Sequence, residues 1–289
     1  MLRSMFAGVS GLRSHQTMMD VVGNNIANVN TAGYKASRVT FGDTLSQMQR
    51  GGAAGGPLGA TGPGGLNAMQ VGLGVKINAV DTVNTTGATQ VTNRPTDMAL
   101  QGEGYFIVDA GAGPVYTRAG SFSPDQTGRI TDPSGYVLQG YAPAADGTFD
   151  SAGPLTSIAP RIGQPTANSG TATLTGYAIG GDGTITGTFD DGVPRPIARV
   201  ALATFPNPGG LVRMGDNHLR GDVNSGPATV GVPNEGGRGG LTVGALEMSN
   251  VDLAQEFTNL IIAQRGFQAN SKIITASDEI LGDLVNLKR

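Results

Sequence analysis

Few residues in this chain have the type and spacing that covalent or metal chemistry needs. The two histidines, His15 and His218, lie far apart, and no cysteine exists to join either in a metal site. No carboxylate set completes a ligand group by spacing, so a solvent-facing or interfacial role is expected for both histidines. The segment GGDGTITG (180–187) has the Asp/Gly character of a calcium loop. It occurs once, without the nonapeptide repeat such loops need, and reads as a β-turn. Gly72, Gly74, Gly102 and Gly104 lie in Gly-rich pieces that no helix clearly follows, which favours turns and bulges over a phosphate cradle. Gly-x-Ser-x-Gly is absent, and spacing suggests no nucleophile–base pair. The sequence therefore predicts no catalytic residue, no cofactor and no metal, and the chain is read as a non-enzyme.

Composition narrows the classes further. Glycine occurs 47 times and proline 16 times in 289 residues, which implies many tight turns and a β-rich body. Charged residues make up 14% and the net charge is -3, so the basic footprint of a nucleic-acid binder is missing. No apolar run approaches the roughly 18 residues of a membrane span. The opening MLRSMFAGVSGLRSHQ lacks the apolar core of a secretory signal, so any export is expected to proceed without a cleaved signal peptide.

Three zones organise the chain. Residues 2–29 predict a helix whose apolar or small residues recur at Leu2, Met5, Val9, Leu12, Met19, Gly23 and Ile26, with Gln16 in the missing slot. Steps of three and four give a heptad pattern. Breakers follow at Asn28, Val29, Asn30, Thr31 and Gly33. Residues 250–287 predict a longer helix, capped by Ser249 or Asn250, with the seam Leu253, Phe257, Leu260, Gln264, Phe267, Ser271, Ile274, Asp278, Leu281, Val285. A second seam runs Ile273, Ile280, Leu284, Leu287. Between the helices, 75–83, 104–110, 136–142, 171–179, 184–190 and 198–205 predict strands, divided by Gly, Pro, Asn and Asp. The expected fold class is α+β: terminal helices paired as a coiled-coil-like domain, and a β-rich centre. The expected divisions are 1–35 (helix and turn), 36–74 (a flexible Gly-rich linker segment), 75–247 (β core) and 248–289 (C-terminal helix).

Pairing two helices from opposite ends of the sequence leaves the second C-terminal seam uncovered. Long apolar faces are normally covered by a partner. Many copies packing their helices side by side would cover it, and a head-to-tail contact of that kind closes to a ring or continues as a filament. The same pattern also suits a helical hairpin packed on its own β body, as in a secreted β-rich adhesin or binding protein.

The segment DVVGNNIANVNTAGYK (20–35) shifts that balance. Its Asn24, Asn25, Asn28, Gly33, Tyr34 and Lys35 resemble the rod signature of the flagellar axial protein family. VGLGVKI (71–77), TTGATQVTNRPTDMALQGEGYFIV (85–108), YTRAGSFSPDQTGRI (116–130) and YVLQGY (136–141) follow in the family's order. GALEMSNVDLAQEFTNLIIAQRGFQANSKIITASDEIL (244–281) is similar to its C-terminal helix and lead-in. The resemblance spans nearly the whole chain and is weakest at 51–68 and 143–195.

That resemblance implies a structural subunit of the extracellular flagellum. Its copies would stack into a hollow helical tube, with the helices on the inner wall and the β domain outside. It implies type III export, and partners in further copies of the chain, rod and hook–filament junction proteins, a hook cap and the export apparatus. The ending ILGDLVNLKR (280–289) and the start MLRSMFAGVSGL look most like a hook protein. The stretch 143–195 is too short for the outer domain of larger hook proteins, a state shared with the distal rod, which is the alternative. The expected assembly residues are the seam positions Leu2, Met5, Val9, Leu12, Met19, Ile26, Leu253, Phe257, Leu260, Phe267, Ile274, Leu281, Leu284 and Val285.

Overall fold

In the computed structural model, residues 2–55, 64–111, 113–144, 148–150, 153–165 and 172–286 are described, without the side chains of Leu2, Leu284 and Val285. Seam members Leu2, Leu284, Val285 and Leu287, the middle of the Gly-rich linker (56–63) and the start of the strand expected at 171 therefore lie outside the described residues. The chain divides into two compact units. One contains Met1–Ala27, Ser37–Thr82 and Asp252–Arg289; the other contains Asn28–Ala36 and Val83–Val251.

The first unit carries both long helices. Helix α1 (Leu2–Ala27) ends just before Asn28, two residues short of the expected end. Strands β1 (Ser37–Asp43), β2 (Ser46–Arg50), β3 (Met69–Gly72) and β4 (Val75–Thr82) follow, in antiparallel pairs β1–β4 and β2–β3. An Ala53–Leu66 bridge extends the second pair. Much of the stretch expected as a linker is thus strand: β-branched and aromatic residues in Ser37–Asp43 favour extended backbone, which the glycines further on obscure. Helix α2 (Leu253–Asn286) is roughly 50 Å long at 1.5 Å per residue. Asp252 caps it, its Oδ1 accepting from the N–H of Ala254 (2.9 Å) and of Gln255 (3.3 Å). The cap is therefore neither Ser249 nor Asn250. Asn250 spends its amide on the carbonyls of Val83 and Thr85 in the second unit.

The second unit is built on an antiparallel sheet. The strand order is Leu174–Ile179, Thr184–Phe189, Pro194–Val200, Val137–Tyr141, Tyr105–Asp109, Pro114–Thr117, His218–Arg220, Val212–Gly215. The run Tyr105–Asp109 shows how the core is made. Successive side chains of a strand point to opposite faces. Phe106 and Val108 accordingly join Met98, Leu100, Phe122 and Leu138 in one apolar cluster, while Tyr105 and Ile107 join Tyr116, Tyr141 and Phe205 in another. A strand buried on both faces needs a continuous apolar run, and YFIV supplies it. The edge hairpin Val212–Arg220 turns at Asp216 and Asn217, whose φ values of 49° and 60° are the left-handed pair that a two-residue hairpin turn requires.

Candidate functional site

Helices α1 and α2 meet along small residues. A side chain added at Gly11 would lie 2.7 Å from the Asn270 amide, and one at Gly266 would lie 2.5 Å from the His15 ring. Gly8 faces Asn270 and Ile274. The two helices therefore run antiparallel and approach closely. At the far end Asn25 is 0% exposed. It donates from Nδ2 to the Ser37 carbonyl (2.8 Å) and accepts the Ser37 N–H at Oδ1 (2.9 Å), imitating a ladder pair at the start of β1. Glu256 sits opposite. Burial pushes its carboxyl above the ordinary value; its hydrogen bond with Asn25 opposes that in part, and Asp252 adds to it.

Ile274 of α2 reaches this contact, but several other large apolar side chains of α2 stay exposed. Phe257 is 49% exposed, Ile262 54% and Ile280 51%, and Leu253, Ile261, Phe267 and Ile273 are exposed with them. Of the expected seam, Met5, Val9, Leu12, Met19, Ile26, Leu260, Ile274 and Leu281 are half-buried. Phe6 on α1, Phe41, Met48, Met69 and Val71 on the strands, and Leu45 between β1 and β2 are also exposed.

The signature turn belongs to the second unit and is anchored there. Gly33 adopts φ 71°, and a Cβ there would lie 2.5 Å from the Ala119 nitrogen, so both conformation and space demand glycine. Its N–H donates to the Glu247 carbonyl at 2.8 Å. Tyr34 is buried under the Arg213 guanidinium, 5.3 Å from the ring centre, and Arg213 Nη2 donates to the Lys35 carbonyl. Asn217 Nδ2 donates to the Ala32 carbonyl. Lys35 Nζ donates to Glu247 Oε1 at 2.5 Å and to the Thr85 carbonyl at 2.8 Å.

Glu247, 2% exposed, is the hub of this cluster. Its Oε2 accepts from Arg118 Nε at 2.6 Å, and its Oε1 also accepts the Gly87 N–H at 2.9 Å. Arg118 spends Nη1 and Nη2 on the carbonyls of Gly104 and Gly102. Burial opposes ionisation of Glu247, but Arg118, Lys35 and the Gly87 N–H outweigh it and hold the carboxyl below its usual range. Burial draws the Lys35 ammonium down, and Glu247 restores part of that shift.

Comparison with known proteins fits this geometry. Residues 5–35 match a family described as flagella basal body rod protein. Residues 99–187 match the flagellar hook protein FlgE/F/G D1 domain, and 242–287 match the C-terminal region of flagellar basal body rod FlgEFG proteins. The flagellar basal-body rod protein FlgG of Bacillus subtilis is 46% identical over 290 aligned positions, covering all of both chains. The chain belongs to the flagellar rod and hook protein family. FlgG of Caulobacter vibrioides is 35% identical over 97% of both chains. The flagellar hook protein FlgE of Borreliella burgdorferi is 31% identical over 445 positions, covering all of both chains. Since this rod/hook-family chain has 289 residues, that hook relative carries long insertions. Each of the three matched segments contributes one member of the buried charge cluster: Lys35, Arg118 and Glu247.

The sequence singles out Gly33, Tyr34 and Lys35, which the structure anchors in the second unit, but not Arg118 and Glu247, which lie within 116–130 and 244–281 without any local mark of their pairing. Nor does it single out the helix contact at Gly8, Gly11 and Gly266. Glycine inside a helix costs about 1 kcal/mol relative to alanine, so its presence there was the available signal of close approach. His218 departs from the solvent-facing or interfacial place expected of it. His218 is buried, with Nε2 at 2.5 Å from Asp132 Oδ2 and its ring against Tyr136. Asp132 is an acid that spacing alone does not mark as its partner. His15, expected to face solvent or an interface, is half-buried between Gly266 and the Phe41 ring. Among the described residues no group of three or more metal-ligating side chains comes together.

Proposed function

We propose that this chain is a structural subunit of the flagellar rod, in its distal part, which self-assembles into a hollow helical tube and transmits torque without catalysis. The carrying observation is colinearity. The match to a rod protein runs at 46% identity over 290 positions, one more than the chain length, whereas the hook match needs 445. The hook expected from the terminal segments remains the second reading, favoured by the full-length match to a hook protein.

In this reading the exposed apolar faces of the helices are completed by neighbouring copies, and α1 and α2 act as a coiled-coil-like pair within the tube. The seam residues carry polymerisation. The other partners are adjoining rod, hook and junction proteins and an export apparatus that needs no cleaved signal. The place of action is the flagellar basal body.

Electron microscopy of polymer grown from the purified chain tests this, with immunogold labelling of isolated hook–basal bodies. Straight tubes and label on the rod are expected. Curved tubes with label on the hook would move the assignment to the second reading. A chain that stays monomeric with protease-resistant termini, even on purified flagellar seeds, would favour the adhesin class.

A further inference from the structure

One large apolar side chain of the second unit stands out from the surface. Val223 is 97% exposed, in a short turn that follows the strand His218–Arg220. The turn is rigidly held. Ser225, fully buried, accepts the Asp222 N–H at Oγ (3.0 Å) and donates back to the Asp222 carbonyl (2.7 Å). Asn207 Nδ2 donates to the Asn224 carbonyl at 2.9 Å. Gly210 lies so close to Asn224 and Ser225 that any side chain there would strike their backbone at 2.7 Å. A scattered surface valine needs no explanation by itself. One fixed in place beside an exposed carboxylate, that of Asp222, is a preorganised knob whose docking costs little entropy.

A complementary cleft of about 560 Å³ lies in the same unit, lined in part by Arg129, Arg161, Ile162 and Tyr177. Ile162 is 62% exposed, and both arginines are exposed. The one carboxylate in the cleft, Asp125, is spent on its own turn, accepting from Thr127 N–H, Thr127 Oγ1 and Arg129 N–H. The cleft therefore offers the Ile162 and Tyr177 side chains and two guanidinium groups to an acidic, apolar partner. Strand order separates the two features. Tyr177 lies in Leu174–Ile179, at one end of the sheet, while the knob follows His218–Arg220, next to the strand at the other end.

We propose that Asp222 and Val223 of one copy dock into the Arg129–Arg161–Ile162 cleft of the next, forming a repeating contact between β units. The occupant is a second copy of this chain, because the knob carries an apolar group to meet Ile162 and the negative charge that answers the two arginines. A contact between different patches at opposite ends of one sheet is heterologous, so it propagates along a polymer and does not close a dimer. This contact rests on the tube reading above.

The test is charge reversal in the full chain, read as the critical concentration for polymer growth on purified flagellar seeds. Val223→Lys and Asp222→Arg should each raise it by about tenfold, as should Arg161→Glu. The double variant Asp222→Arg with Arg161→Glu should return to within about threefold of wild type, because the pair is restored across the contact. Circular dichroism should show all variants folded, since every altered side chain is exposed. If the wild-type chain polymerises and Val223→Lys does so equally well, or the double variant is no better than the singles, the contact is overturned and the tube reading stands. If the wild-type chain forms no polymer on seeds, the tube reading falls and the contact falls with it.

Discussion

At the scale of residues, the buried charge cluster makes the sharpest commitment. Lys35 and Arg118 are both buried and share one carboxylate, so Glu247 neutralises more than one neighbour. Replacing it with Gln leaves two cations without a counter-charge, and removing one partner of a buried pair costs about 3–5 kcal/mol. Glu247→Gln should lower the unfolding free energy of the β unit by that amount in urea titration. Lys35→Met should cost less, because the Arg118–Glu247 pair survives it. The pH dependence has a definite sign. The folded carboxyl titrates below its ordinary 4.5, so its contribution is complete above that value and is lost as pH falls through the lower folded one. The gap between wild type and Glu247→Gln should therefore narrow in acid; a gap constant from pH 7 to pH 3 would contradict the assignment. None of this pairing is legible in the sequence. Lys35 and Glu247 are 212 positions apart, and only the folded backbone brings them together.

At the scale of elements, legibility tracks the range of the forces involved. Each of the six stretches expected as strands contains strand where described, because alternation and turn residues act locally, but 198–205 falls across two strands, Pro194–Val200 and Leu202–Thr204, and 75–82 lies in the first unit. Both helices appear for the same reason. The close approach was less legible: large apolar residues dominate the periodic signal, and Gly8, Gly11 and Gly266, which also line the contact, carry no apolar mark. Two glycines in α1 separate these effects. Gly23 has nothing within 4 Å of an added Cβ, so Gly23→Ala should stabilise the helix by up to about 1 kcal/mol through backbone entropy alone. Gly11→Leu meets the Asn270 amide, which is itself tied to the Gly266 carbonyl, and should cost about 1–3 kcal/mol despite the better helix propensity. Hydrogen exchange of the α1 amides should move in opposite directions for the two variants. Equal protection in both would mean that the close approach does not hold the helices together.

At the scale of the whole molecule, the uneven distribution of apolar surface separates folding from assembly. Phe257 and Ile280 are half-exposed in the single chain, so exchanging either for Asp should leave monomer stability within about 0.5 kcal/mol. Leu260 and Leu281 are already half-buried, and the same exchange there should weaken the monomer as well. Once neighbouring copies cover α2, the ranking changes. Burying one such large apolar side chain is worth roughly 1.5–3 kcal/mol, which corresponds to a factor of about 10 to 150 in a binding constant. Phe257→Asp and Ile280→Asp should therefore raise the critical concentration for tube growth at least tenfold in a sedimentation assay, while their urea midpoints match wild type. Unchanged growth in both variants would place the assembly surface elsewhere. Lost growth together with a lowered midpoint would show that these side chains serve the folded chain first, and that the exposed face of α2 is part of the monomer's own stability.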